Sequence, residues 1–469
     1  MSTVLAPEQP PLTSQRVAFV TLGCRANQVE SSALAKNFQS LGWQIVSSRE
    51  TAALYVVNTC TVTEQADAEA RRLIRQIRRH HPHARFAVTG CYAQMAPEVM
   101  AGLDGVDFVI GNALKDQLAA LVHEKFWLGR PAEPWILVDE LDKSRVLAVT
   151  ASAGSVSRHR ASLKIQDGCD YKCTYCIIWQ ARGPSISVPV SKVLEAALSL
   201  AEQGFQEIVL TGINIGQYQA QSADLTSLLK TLIDRFQGTP VRFRLSSLDP
   251  LEVSDALIDT IAKSNGVICP FLHLSAQSVE DGVLKAMARR HHVADFERIV
   301  MQTASQIPDA MISADIIVGF PGESQLAFEA TLERLVRLPV HHLHVFRYSP
   351  RPQTPAASYR PQVPERIRKQ RAEQLLALSR QKRLDFARAQ HGNVRSVLIE
   401  ERLENGDWLA TSDNYLKVAL LQAPPSSALL ASNLKLTPGA QYPARLFYPS
   451  DVKNAASLVD LEGHLVEAF

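Results

Sequence analysis

The sequence predicts an α/β protein in three parts: an N-terminal open parallel sheet, a central partial (βα)6 barrel and a small C-terminal β-barrel. Three observations predict it. Apolar, β-branched runs alternate with helical patterns from residue 16 to about 125, and again from 161 to 363. Several of these runs end in a cysteine or in small polar residues. Beyond a basic helix the pattern changes to short alternating strands separated by turns. With 469 residues the chain has room for about three domains.

Residues 1–15 are polar and proline-bearing, which suits a flexible N-terminus and neither a secretory signal nor a transit peptide. Residues 16–134 read as the first α/β domain. Arg16-Val-Ala-Phe-Val-Thr-Leu-Gly23 leads to Cys24, Leu54-Tyr-Val-Val-Asn-Thr59 to Cys60, and Arg85-Phe-Ala-Val-Thr-Gly90 to Cys91. Each run reads as a buried parallel strand. Helices are expected over 29–41 and 64–80, with a further strand at 107–110. In an open α/β sheet the carboxyl ends of the strands lie side by side, and ligands bind along that edge. The three cysteines are therefore expected to converge. Free cysteines are more often small buried hydrophobes, but that reading does not explain why each falls at the same point of its βα unit. Residues 135–160 pass through Ala151-Ser-Ala-Gly-Ser-Val-Ser157, small and polar enough for a linker.

Residues 161–363 form the central domain. Strands are expected at 161–166, 207–212, 242–247, 271–277, 313–320 and 341–348. Six βα repeats make an open, partial barrel whose strand ends form the active face, as in full barrels. Directly after the first strand comes Asp167-Gly168-Cys169-Asp170-Tyr171-Lys172-Cys173-Thr174-Tyr175-Cys176. Three thiolates on one short loop can hold three corners of a cubane iron–sulfur cluster and leave the fourth iron open. Structural zinc is the rival reading, but zinc usually takes paired Cys-x-x-Cys or Cys/His groups and a fourth protein ligand. Other strand ends carry Thr211-Gly212-Ile-Asn214, Ser246-Ser247, Gln277-Ser278 and Gly319-Phe-Pro-Gly-Glu323. Singly these are turns or helix caps. Recurring on one face, Thr211, Gly212, Asn214, Ser246, Ser247, Gln277 and Gly319 are candidate contacts to a bound small molecule. Cys269, the seventh cysteine, reads as packed.

Residues 364–393 form a basic connecting helix and 394–469 the small barrel, with turns at Glu404-Asn-Gly-Asp407 and Pro438-Gly439. The formal charge of +2 gives no global nucleic-acid signature, so any basic surface must be local. Two clusters could touch phosphate: Arg71, Arg75, Arg78 and Arg79, more simply read as a solvated helix face, and Arg366, Arg368, Lys369, Arg371, Arg380, Lys382 and Arg383. No run of about 18 apolar residues offers a membrane span. An odd cysteine count without a signal argues for a reducing, cytoplasmic setting.

Taken together, Thr21-Leu-Gly-Cys-Arg-Ala-Asn-Gln-Val-Glu-Ser31, Asn58-Thr-Cys-Thr-Val-Thr63, Thr89-Gly-Cys-Tyr92, the Cys169 loop with Ala181-Arg-Gly183, Ile316-Ile-Val-Gly-Phe-Pro-Gly-Glu323 and Tyr348-Ser-Pro-Arg-Pro352 resemble the radical S-adenosylmethionine methylthiotransferases. The resemblance runs over nearly the whole chain. It is greatest to the branch acting on threonylcarbamoyladenosine in tRNA. It implies that Cys169, Cys173 and Cys176 hold the [4Fe–4S] cluster that cleaves S-adenosylmethionine. It also implies that Cys24, Cys60 and Cys91 hold a second, auxiliary [4Fe–4S] cluster, that Tyr175 packs against the cofactor's adenine, and that the last domain is a TRAM-like RNA-binding barrel. The expected substrate is the modified adenosine at position 37. Isopentenyladenosine, or a ribosomal protein side chain, is the alternative. An electron donor such as flavodoxin or ferredoxin, and a sulfur source, are the implied partners. Trp179, Gln180, Ser275, Ala276, Val279 and His291 depart from the family pattern, and none is a cluster cysteine.

Overall fold

The computed structural model describes residues 15–157, 159–421, 436–448 and 459–465. The expected flexible N-terminus lies outside these residues except for Gln15. The chain forms two compact units. One comprises the residues up to Thr150 together with Ile177–Pro184; the other comprises Ala151–Cys176 and the residues from Ser185 onward.

The first unit is built on a six-stranded, wholly parallel sheet. Its spatial order is Gln44–Val46, Arg16–Thr21, Leu54–Thr59, Arg85–Gly90, Val106–Ile110, Trp135–Leu137. The chain reverses direction of travel across the sheet between Arg16–Thr21 and Leu54–Thr59. In such doubly wound sheets that switch point opens a crevice beyond the strand ends. The two central strands, Leu54–Thr59 and Arg85–Gly90, are buried throughout, as continuous apolar runs demand. Helices cover both faces. The helix expected over 29–41 is Arg25–Ser40, so it starts immediately behind Cys24.

In the second unit, Arg160–Lys164, Glu207–Thr211 and Arg242–Leu245 are parallel neighbours, as are Phe271–Gln277, Met311–Val318 and His342–Arg347. Parallel bridges Phe243–Ile268 and Leu248–Leu274 join the two sets into the six-stranded partial barrel. The segment expected as a linker, 135–160, carries strands at both ends. Trp135–Leu137 completes the first sheet, and Thr150–Ser157 lies beside Arg160–Lys164. Small residues suit an edge strand as readily as a linker, so composition alone does not separate the two.

The last strands close a barrel in the order Val394–Arg402, Trp408–Ser412, Lys417–Leu420, Leu461–Leu465, Gln441–Phe447. It is not a loose appendage. Val397, Ile399, Ala410 and Leu446 of the barrel share one apolar core with Cys269, Phe271 and Met311 of the partial barrel and Phe386 of the connecting helix Glu365–Ala389. A buried ionic network backs this core. Glu207 binds Arg242 at 2.7 Å and Arg244 at 2.8 Å, while Arg160 reaches Glu400 of the barrel at 2.5 Å. Arg244 also donates to the Asp413 carbonyl at 2.9 Å. Burial alone would raise the Glu207 carboxyl, but Arg244 foremost, then Arg242 and Arg160, hold it well below the usual carboxylate range.

Candidate active site: two cysteine triads

Cys24, Cys60 and Cys91 each follow a strand of the first sheet, and the local backbone explains their approach. Gly23 has φ +96°, and a Cβ there would lie 2.6 Å from Cys60 Cβ and 2.9 Å from its sulfur. Gly90, also at φ +96°, comes so near Thr59 that a Cβ would meet its carbonyl oxygen at 2.3 Å. Only glycine lets these strand ends draw together. Asn27 locks them: its side-chain amide donates to Leu22 O at 2.8 Å and Thr59 O at 3.0 Å. Cys60 and Cys91 are buried and Cys24 retains accessible surface. Burial foremost, with the charges of Cys91 and Cys24 adding, pushes the Cys60 thiol up to about 11.

Sequence reading gave Arg182 no role beyond a motif. It ends the short helix Ile178–Arg182, which packs in the first unit although it follows Cys176 directly in the chain. Its side chain is 1% exposed, and its Nε lies 3.2 Å from the Cys91 sulfur.

The second triad sits on one loop tied down at both ends. Gln166, another residue missed in the sequence, accepts at Oε1 from the backbone N–H of Ile213 at 3.1 Å and Asn214 at 2.8 Å, and donates from Nε2 to Gly168 O at 2.8 Å. It thereby couples the cysteine loop to the strand end that carries Gly212. Thr174 donates to Met287 O at 3.0 Å through its backbone and to Ala286 O at 2.8 Å through its hydroxyl. Arg289 reaches the Cys173 sulfur at 3.7 Å and pairs with Asp249 at 2.6 Å. Burial foremost, then Cys176 and Cys173, pushes the Cys169 thiol up to about 12. Among the described residues no three His, Cys, Asp or Glu groups gather as a single bound metal ion would require.

The cofactor candidates separate into two groups. Thr211, Gly212 and Asn214 lie beside Gln166, and Asn214 donates to Glu252 at 3.0 Å. Burial foremost pushes the Glu252 carboxyl up to about 7. Ser246 and Ser247 follow the next strand and are partly exposed, and Gln277 ends Phe271–Gln277 with φ +66°. Gly319 is differently placed: its N–H donates to Glu323 at 2.6 Å, and a Cβ there would meet Arg368 Cγ at 2.1 Å. Tyr175 packs against Val283, Met287, Phe320, Tyr348 and Ala356. Of the departures from the family pattern, Ser275 accepts from Arg289 through its carbonyl at 2.5 Å, and burial first, then Arg289, pushes the His291 imidazole down to about 3.

The basic clusters are partly spent on structure. Arg383 makes a two-pronged pair with Asp460 at 2.6 and 2.7 Å, Lys382 donates to the Val336 and Leu338 carbonyls, Arg371 pairs with Glu323 at 2.5 Å, and Arg368 donates to Tyr348 O. Arg366, Lys369 and Arg380 remain exposed. On the helix Glu64–His80, Arg71 donates to the Tyr92 hydroxyl and Arg78 approaches Asp104 at 3.6 Å, while Arg75 and Arg79 face solvent. No described helix is long and apolar enough to cross a membrane.

Comparison with known proteins agrees with this architecture. A family model described as Uncharacterized protein family UPF0004 matches residues 16–111, and one described as Radical SAM superfamily matches 163–335. A threonylcarbamoyladenosine tRNA methylthiotransferase MtaB of Aquifex aeolicus is 38% identical over 82% of this chain and 93% of its own length. The MtaB of Bacillus subtilis is 35% identical, covering 86% and 89%. A tRNA-2-methylthio-N(6)-dimethylallyladenosine synthase of Zymomonas mobilis is 31% identical over 86% and 90%. Among solved structures, the radical S-adenosylmethionine methyltransferase TsrM of Kitasatospora setae, with tryptophan and a cofactor analogue bound, superimposes with a TM-score of 0.56. It is 17% identical over 73% of this chain and 75% of its own, a likeness of fold. The chain belongs to the radical S-adenosylmethionine methylthiotransferases. Within them it is most like the threonylcarbamoyladenosine tRNA branch. Membership implies a [4Fe–4S] cluster and S-adenosylmethionine.

Proposed function

We propose that this protein adds a methylthio group to C2 of a modified adenosine in tRNA, N6-threonylcarbamoyladenosine at position 37, using two [4Fe–4S] clusters. The observation that carries the reading is the pair of cysteine triads in a chain 38% identical to a named tRNA methylthiotransferase over most of both lengths. Each triad supplies three thiols near enough for their charges to act on one another. That donor set suits a cubane, in which three irons each take one thiolate and the fourth stays open. When bound, the cluster at Cys169, Cys173 and Cys176 supplies the electron that cleaves S-adenosylmethionine into a carbon-centred radical able to attack an unactivated C–H bond.

The protein's part is placement. Gln166, Thr174 and Arg289 hold the cysteine loop in position against the partial barrel. Thr211, Gly212, Asn214, Ser246, Ser247 and Gln277 offer backbone and polar groups to the cofactor, and Tyr175 offers an aromatic face. Cys24, Cys60 and Cys91 would hold the auxiliary cluster, which would supply the chemistry of sulfur transfer. The base must leave its stack to be reached. An electron donor such as flavodoxin or ferredoxin, and a separate sulfur source, complete the requirements.

Mass spectrometry of tRNA nucleosides and of ribosomal proteins from a deletion strain, with and without complementation, tests the substrate. Loss of 2-methylthio-threonylcarbamoyladenosine alone is expected. Loss of the isopentenyl derivative, or of a methylthiolated ribosomal protein, would replace this reading with one of its alternatives.

A further inference from the structure

Behind the first triad lies a buried polar floor that ligation by cysteine does not explain. Glu30, on the helix that starts after Cys24, is shared by two cations. Lys115 Nζ binds it at 2.6 Å, and Arg182 binds it through both Nη atoms, one of them at 3.2 Å. The three side chains are between 1% and 7% exposed. Lys115 also reaches Asn58 Oδ1 at 3.4 Å, and Arg182 donates to Asn27 Oδ1. Glu30 thus faces two cationic side chains in a place where charge is costly to bury. Arg182 also donates from Nε toward the Cys91 sulfur.

An oxidised [4Fe–4S] core held by three thiolates carries a single net negative charge, and reduction adds another. The floor supplies the complementary sign. Arginine stays charged throughout, and its fork fixes direction as well as charge. Hydrogen bonds to cluster sulfurs and nearby positive charge stabilise the reduced form.

We propose that Arg182, braced by Glu30, Lys115 and Asn27, is a positioning residue for the auxiliary cluster, donating to the Cys91 sulfur and setting the cluster's reduction potential. This rests on the assignment of an auxiliary cluster to Cys24, Cys60 and Cys91. It gives the Ala181-Arg-Gly183 motif a task in the first unit, although the motif follows the radical triad in sequence.

The test uses full-length protein carrying Cys169, Cys173 and Cys176→Ala, so that only the auxiliary cluster remains. Iron content and an electron paramagnetic resonance titration with dithionite are measured. Arg182→Met should shift the reduction equilibrium about tenfold toward the oxidised form, a midpoint about 59 mV lower for one electron. Arg182→Lys, which keeps the charge and loses the fork, should recover part of the lost midpoint. Lys115→Met, one step further from the sulfur, should load its iron and move the midpoint the same way by less. If Arg182→Met fails to hold iron, Lys115→Met decides alone. A midpoint unchanged in a loaded variant overturns the inference. A parent without iron would overturn the auxiliary cluster itself, and the inference with it.

Discussion

The two cysteine triads reach similar ends by opposite routes. Cys169, Cys173 and Cys176 come from one loop, so their proximity is largely written in local sequence. Cys24, Cys60 and Cys91 come from three βα units and act on one another only because a parallel sheet aligns its strand ends. Each triad nevertheless has a buried arginine at one sulfur, Arg289 by Cys173 and Arg182 by Cys91. The lesson concerns dependence: the sheet-borne triad needs long-range packing, whereas the loop-borne triad needs a few anchoring hydrogen bonds.

That contrast can be broken by perturbing one unit at a time. The largest expected effect is Glu207→Gln, which leaves Arg242 and Arg244 without their buried carboxylate and should cost about 3–5 kcal/mol of stability in the second unit. Urea unfolding followed separately for each unit would show it. The pH dependence has a definite sign. Because the folded carboxyl titrates below its usual value of 4.5, its contribution is present above that pH and fades as pH falls through the folded value. Parent and variant stabilities should therefore converge in acid. A parallel loss in the first unit would contradict independent dependence.

Gly90→Ala comes next. Its backbone conformation costs a side chain on the order of 1–3 kcal/mol, and the new Cβ strikes a carbonyl. Reconstituted iron should fall from about eight per chain to about four, with cleavage of S-adenosylmethionine kept. Retention of all the iron would show that the sheet tolerates what its geometry forbids.

The smallest effects separate two kinds of basic residue on the connecting helix. Arg383→Ala should cost about 1 kcal/mol by releasing Asp460. Arg366→Glu, Lys369→Glu and Arg380→Glu together should leave stability alone and lower the salt slope of tRNA binding by roughly one unit per lost phosphate contact. An unchanged slope, with the fold intact by circular dichroism, would remove the helix from the RNA surface.

Much of this was legible because it was local. Six strands of the partial barrel, the strand-end cysteines and the closing barrel follow from periodicity and turn residues. The rest depends on distance along the chain. Arg160 and Glu400 meet across two domains, and neither has a local signature. Arg380, Lys382 and Arg383 look alike in sequence, yet only the last two are held by carbonyls or a carboxylate. The shared core through Cys269, Phe271 and Val397 likewise makes the terminal barrel integral to its unit, which no local pattern announces. Thr150–Ser157 escaped notice because small residues carry no periodic apolar signal.

The central claim is a division of labour between the triads. The direct measurement is iron content with S-adenosylmethionine cleavage and methylthio transfer, compared between the Cys169/Cys173/Cys176→Ala protein and the Cys24/Cys60/Cys91→Ala protein. Each should retain about four irons. The first should cleave no cofactor, and the second should cleave it while transferring no sulfur. Cofactor cleavage by the first, or full methylthio product from the second, would contradict the account.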